Sequence, residues 1–348
     1  MANKENKVLW LSQEDCIACG AQDMKFILRN VTRANTMLGL GETREIGLVH
    51  MMWEEGKHSG KRVGLHGCII NSGDGDIHVA SIKSIPSNPT NPQRLQKPRS
   101  NGLLILYDED TGFPLAVMDD TVVSSMRTGA GSALGAKCCA NPDSEVMGLL
   151  GSGVIASRCL EATSLVLDNI KVVKVYDWKR ENAEKFVRRW EHLGYEFEIV
   201  DSAREAVSGS DVVHCCTLVD VGEEYIPADW LKAGSFQSFI SCYDYKEECY
   251  LLPQAKYCMD WKDRLNDVNA CTLTDMVLAG KIDSERVVQV SDILLGRRQC
   301  RVRHDDIVFF GSLGLCITDT LNGFEIYRQA LEKGLGTWVY QWKEPAMY

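Results

Sequence analysis

The chain has no long hydrophobic run. None of its apolar stretches approaches the roughly 20 residues that span a bilayer, so no membrane partner is expected. The opening segment "MANKENKVLWLSQED" carries two lysines, but its apolar run stops after four residues, too short for a secretory signal. Positive charge is also scarce. Against 48 Asp and Glu stand 38 Lys and Arg, for a net charge of −10. That balance excludes nucleic acid as the main partner. It leaves a small anionic substrate open, because local arginines set the field inside a cleft. Zinc-type spacing is missing as well. There are 14 cysteines, yet Cys16 and Cys19 form the only Cys-x-x-Cys, with no second pair at a ligand spacing. The cysteines therefore read as reduced thiols of a cytoplasmic protein, packed as small hydrophobes, with no metal expected. Repeats and low-complexity tracts are absent, and no Ser-His-Asp order or paired carboxylates demand hydrolase chemistry.

What is present suits a globular protein of two domains. Its 348 residues are 45% hydrophobic and 25% charged, enough to bury a large core. Residues 1–125 read as mixed α+β. A helical period runs from about Met24 to Leu38. Alternating runs follow in "REIGLVHMMW", "KRVGLHGCII" and "DIHVASIKSI", as antiparallel strands. The proline-rich "PSNPTNPQRLQKPRSNG" reads as a loop, and "LLILYDEDTGFPLAVMDD" as a hairpin.

From about Asp120 the pattern changes. A small-residue helix in "TVVSSMRTGAGSALGAKCCA" leads to the buried strand "EVMGLLG". Strands and helices then alternate, which predicts a parallel sheet with helical crossovers. The long helix "TDTLNGFEIYRQALEKG" returns to the first domain. The tail "LGTWVYQWKEPAMY" reads as a strand whose partner the sequence does not reveal.

"GLLGSGVIASR" sits between the buried strand and a periodic helix. Gly151, Ser152, Gly153, Val154 and Ala156 give the form G-x-G-x-x-A. Gly151 allows a tight turn, Gly153 lets backbone approach a pyrophosphate, and Ala156 permits close helix packing. The next strand ends at Asp177, the distance expected for an acid that accepts from a ribose hydroxyl. Such an acid favours NAD, although Lys179 and Arg180 leave NADP possible.

The segments "IKSIPSNPTNP", "SNGLLILYDEDTGFPLAVMDDTVVSSMRTGAGSALGAK" and "GLLGSG" together resemble the ornithine cyclodeaminase and mu-crystallin family. The resemblance implies an α/β chain in which a Rossmann domain, residues 126–314, is inserted in an α+β substrate and dimerisation domain, residues 1–125 with 315–348. A homodimer is implied. "IKSI" with "RSNG", "SSMRT" and "CMDW" look closer to one branch. That branch consists of NAD-dependent dehydrogenases that oxidise a glutamate adduct to release 2,3-diaminopropionate for siderophore assembly. The ornithine-cyclising branch has a Gly-Gly-Asp segment where this chain has "FISCYDYKEE". Its glycines are replaced by Ser241 and Cys242, and the acid is shifted to Asp244.

Oxidising a carbon that bears nitrogen needs a neutral amine, a held carboxylate, a proton acceptor and a fixed cofactor. Arg127, on the small-residue helix, is expected to clamp a carboxylate and to lie near the cofactor. A strand lysine is ordinarily a solvated edge charge. The resemblance instead assigns Lys83 to the substrate carboxylate and to proton handling. Asp244 is a candidate base or water positioner. Arg99 and Arg62 are candidate ligands for further carboxylates, with Arg44 an alternative to Arg62. Thr217, Lys246 and Ser312 are expected beside the cofactor, and His214 in the core. The same resemblance admits a cyclodeaminase, a reductase of cyclic imines, or a protein that only binds a nicotinamide cofactor and a small ligand.

Overall fold

The computed structural model describes residues 6–53 and 60–346. The chain forms two compact units. One runs through Arg127 and resumes at Leu315; the other is Thr128–Gly314. The division falls inside the helix Thr121–Cys139.

The first unit holds β1 (Lys7–Leu11), β2 (Thr43–Met52), β3 (Arg62–Asn71), β4 (His78–Ser87), β5 (Leu103–Asp108) and β6 (Pro114–Asp119). The second holds β7 (Val146–Leu150), β8 (Val172–Tyr176), β9 (Glu196–Ile199), β10 (Val212–Cys215), β11 (Phe236–Phe239), β12 (Ala255–Met259), β13 (Val287–Gln289) and β14 (Ile307–Gly311). The chain then returns to the first unit with the helix Cys316–Lys333 and β15 (Thr337–Tyr340).

The first sheet runs β15–β1–β6–β5–β4–β3–β2. All its pairs are antiparallel except β1 with β6. Here the tail finds its partner: β15 pairs with β1, Lys7 opposite Tyr340. Polar–apolar alternation turns one face of this sheet inward, onto the helix Cys316–Lys333. The fit is close at Gly323, where a Cβ would stand 2.3 Å from Leu104 Cδ2. The helix Met24–Leu40 packs alongside, with Asn30 Nδ2 donating to Asn322 Oδ1 at 3.0 Å. The proline-rich segment is not wholly a loop. Residues Asn91–Leu95 form a short helix with Pro92 in its first turn, where a missing N–H costs nothing.

The second sheet runs β13–β12–β14–β11–β10–β7–β8–β9, every pair parallel. β10, β11 and β14 are buried at every position, as strands covered on both faces require. Tyr245, Tyr250, Phe239 and Phe309 pack ring against ring in its core.

Candidate active site

β4 lies between β3 and β5, so Lys83 is not on an edge. Alternation turns it inward with Val79 and Ser81, and it is fully buried. Its ammonium donates to Asp319 Oδ1 at 2.7 Å and to Ser124 Oγ at 2.9 Å. It also pairs with Asp120 Oδ2 at 2.9 Å. Arg127 Nε donates to the same oxygen of Asp319 at 3.0 Å. Two cations thus share two carboxylates away from water. Burial pushes the Asp120 carboxyl up to about 7, against the pull of Lys83. Burial opposes ionisation of Asp319 too, but Arg127 and Lys83 outweigh it and hold that acid below its ordinary value. Gly102 leaves room for the pair: a Cβ there would stand 2.8 Å from Ile85 Cδ1 and 3.2 Å from Asp120 Oδ2.

Glu45 on β2 completes this group. Its carboxylate accepts from the backbone N–H of Cys316, at 3.0 Å, and from that of Ile317. Both belong to the first turn of the helix Cys316–Lys333, where the dipole favours an anion. Burial still raises this acid to about 7. Asp319, Asp120 and Glu45 are absent from the sequence-based set. Asp319 lies 236 residues from Lys83, so no local spacing could join them. Asp120 was visible only as the second acid of "MDD" before a helix.

Sheet register separates the candidate arginines. Arg62 stands opposite Ser87, and His66 opposite Lys83, so Arg62 shares the inward face with Lys83. Arg99 Nε donates to Ser87 Oγ at 3.1 Å, which brings Arg99 and Arg62 to one end of β3 and β4. Arg44 stands opposite Ile69, on the other face, and is exposed.

In the second unit, β7 runs into Gly151 with φ +87°; a Cβ there would stand 2.8 Å from Cys216 O. Gly153 caps the helix Val154–Thr163, and a Cβ added to it would meet nothing within 4 Å. Open space at a helix N-terminus fits a pyrophosphate. Ala156 is fully buried beneath it. Asp177 Oδ2 accepts from Ser152 N at 3.1 Å and Ser152 Oγ at 2.6 Å. Its Oδ1 accepts from Lys179 N and Asn182 Nδ2. A cleft of about 290 Å³ opens here, lined by Ser152, Gly153, Asp177, Asn182, Lys185, Phe186 and Arg189. Lys179 and Arg180 are not among them. Lys179 lies over the Trp178 ring, and Arg180 pairs with Asp201 at 2.6 Å.

Asp244 does not stand as an open base. It is fully buried, and accepts from Thr217 Oγ1 at 2.6 Å, Tyr225 OH at 3.2 Å and Ser241 Oγ. Burial raises its pKa while these hydroxyls oppose the rise. The geometry makes it a residue that positions Thr217, just past the end of β10. Lys246, two residues on, is exposed. Ser312 follows β14 and donates to Asp260 Oδ2 at 3.4 Å; the same oxygen accepts from Gly314 N at 2.9 Å. Asp260, the acid of "CMDW", thus braces that turn. His214 is a core residue between Ser132 and Thr163, at 2.9 and 3.0 Å, and burial lowers its pKa to about 4. All fourteen cysteines are free, and twelve are buried.

A parallel sheet with a glycine-turn anion cradle, and a separate buried lysine–carboxylate cluster, define a dinucleotide-dependent enzyme. More particularly, residues 68–334 match the ornithine cyclodeaminase/mu-crystallin family, and the chain belongs to it. It is 32% identical over 266 residues to N-((2S)-2-amino-2-carboxyethyl)-L-glutamate dehydrogenase of Staphylococcus aureus, covering 76% of this chain and 78% of that one. The structure of Thermococcus litoralis Δ1-pyrroline-2-carboxylate reductase with NADH and L-proline superposes with a TM-score of 0.81 at 29% identity, covering 95% of this chain and 99% of that one. An archaeal alanine dehydrogenase dimer with bound NAD gives 0.81 at 28% identity, covering 97% and 100%.

Proposed function

We propose that this NAD-dependent amino-acid dehydrogenase oxidises the secondary amine of a glutamate-type adduct to an imine. Water then splits the imine into a 2-oxo acid and an amino acid such as 2,3-diaminopropionate, a building block for a siderophore. The observation that carries this reading is the buried Lys83, ringed by Asp319, Asp120 and Ser124 with Arg127 on the same carboxylate. The 32% identity to the staphylococcal adduct dehydrogenase supports it.

NAD, held by Gly151, Ser152, Gly153, Val154 and Asp177, supplies the two-electron acceptor. Thr217, Lys246, Ser312 and Arg127 are the further residues assigned to it. The remaining work falls to side chains of the first unit. Arg127, Arg62 and Arg99 supply the positive charge that a substrate with several carboxylates needs. Lys83 directs its N–H groups at its own partners, which suits holding and passing a proton more than gripping a carboxylate. Asp120, with a pKa near neutrality, takes the proton that must leave the amine nitrogen and returns it as water adds. Asp319 holds Lys83 and Arg127 in place.

A second reading has its own support. The likeness to the NADH- and proline-bound pyrroline-carboxylate reductase favours reduction of a cyclic imine, the same chemistry reversed. Net NADH formation with the glutamate adduct, and mass spectrometry showing 2-oxoglutarate with diaminopropionate, supports the dehydrogenase. NADH consumption with a cyclic imine and no turnover of the adduct overturns it.

A homodimer and a cytoplasmic location belong to the same proposal. Fourteen free thiols favour a reducing compartment. The outward face of the first sheet carries a cross-strand apolar row of Ile46, Ile82, Ile105, Val117 and Trp10. Ile46, Ile82 and Trp10 are exposed, as an association surface requires.

A further inference from the structure

Three thiols converge in the second unit without any spacing in the sequence to announce it. Cys139 ends the helix Thr121–Cys139, Cys258 lies on β12, and Cys300 comes from the segment before β14. Their sulfur atoms all lie within 4.8 Å of one another, and all three residues are buried. Three thiolates at a metal–sulfur distance of about 2.3 Å stand roughly 4 Å apart. Sulfurs held within 4.8 Å of one another are therefore close to that spacing without a rearrangement of the fold.

We propose that Cys139, Cys258 and Cys300 form a binding site for a soft divalent cation, held by three thiolates. Sulfur donors exclude magnesium and calcium, which require oxygen. Among the described residues no fourth Cys, His, Asp or Glu joins the group. A trigonal sulfur set suits a large thiophilic ion such as cadmium better than zinc, which prefers four ligands.

Charge balance points the same way. The Arg301 guanidinium is pinned to this region, donating to Cys139 O at 2.6 Å and to Ser235 O at 3.1 Å. Three thiolates, one divalent cation and this guanidinium carry no net charge, so their mutual attraction offsets part of the cost of burying them. Binding a cation displaces thiol protons, so affinity rises with pH.

The test uses the full-length protein, reduced and stripped of metal, with cadmium ion alone as the probe. After incubation and gel filtration, one cadmium per chain is expected, with thiolate-to-metal ultraviolet absorption and three sulfur neighbours by X-ray absorption. The Cys258→Ser and Cys300→Ser variants should lose the retained ion. A Cys16→Ser/Cys19→Ser double variant, which removes the only Cys-x-x-Cys, should keep it. No retained cadmium in the wild type, or retention that survives Cys300→Ser and disappears in the double variant, overturns the proposal. Should the serine variants fail to fold, the wild-type sulfur count decides: three sustains the site and two or fewer rejects it.

Discussion

Lys83 and Asp319 meet at 2.7 Å with both side chains buried, one from the middle of a sheet and the other from the first turn of the helix laid across it. Breaking a buried pair costs about 3–5 kcal/mol, and although Asp120 still faces Lys83, Asp319 is the carboxylate that Lys83 and Arg127 share. Asp319→Asn should therefore shift the urea unfolding midpoint down strongly. It should also lower turnover, since Arg127 depends on the same oxygen.

Lys83→Ala separates proton handling from cofactor binding. Loss of a positioned acid–base group is expected to slow turnover by roughly 10²–10⁴-fold. NAD binding, followed by quenching of protein fluorescence, should stay near the wild-type value. A variant that turns over normally removes Lys83 from the mechanism.

The two glycines of the cofactor turn should respond differently. Gly151→Ala forces a Cβ into a left-handed backbone and toward Cys216 O, so it should cost about 1–3 kcal/mol of stability. Gly153→Ala meets nothing in the fold. It should leave thermal unfolding unchanged while weakening NAD, because the methyl group takes space a phosphate needs.

Stability should fall as pH rises through the weakly acid range. Asp120 and Glu45 are raised in the fold from ordinary values of 3.8 and 4.5 to about 7. Below their unfolded values neither contributes. Between there and about pH 7 the unfolded chain is ionised while the folded one keeps its protons, so the penalty grows and then levels off. Asp120→Asn and Glu45→Gln should each flatten this slope in chemical unfolding between pH 4.5 and 7. Asp319 acts in the opposite sense. Its stabilisation is lost only as pH falls below the ordinary aspartate range.

Ile82→Glu places a charge at the centre of the exposed apolar row. Sedimentation should show a dimer for the wild type and a monomer for the variant, with the circular dichroism spectrum preserved.

The parallel sheet and the glycine turn were legible because both rest on local pattern. Buried apolar runs such as Val146–Leu150 alternate with periodic helices, and Gly151 with Asp177 keeps a fixed spacing. The partners of Lys83 were not legible, because Asp319 returns from the far end of the chain. Neither was β1, whose run of four apolar residues stands isolated in the sequence until β15 and β6 enclose it. Asp244 drew notice as an acid near a family motif. Only three-dimensional placement reveals that Thr217, Ser241 and Tyr225 occupy it. The cysteine reading of small packed side chains describes most of the fourteen, but it could not foresee three sulfurs from residues 139, 258 and 300 converging.

The strand pairing of β1 with β15 has a consequence for how the protein is made. Residues 128–314 are contiguous, so they have every partner of their own sheet once the ribosome has released them. The other sheet must wait. Its early strands emerge with a bare apolar face and no helix to cover it until Cys316–Lys333 arrives, so during synthesis the half that was translated first is the half that finishes folding last.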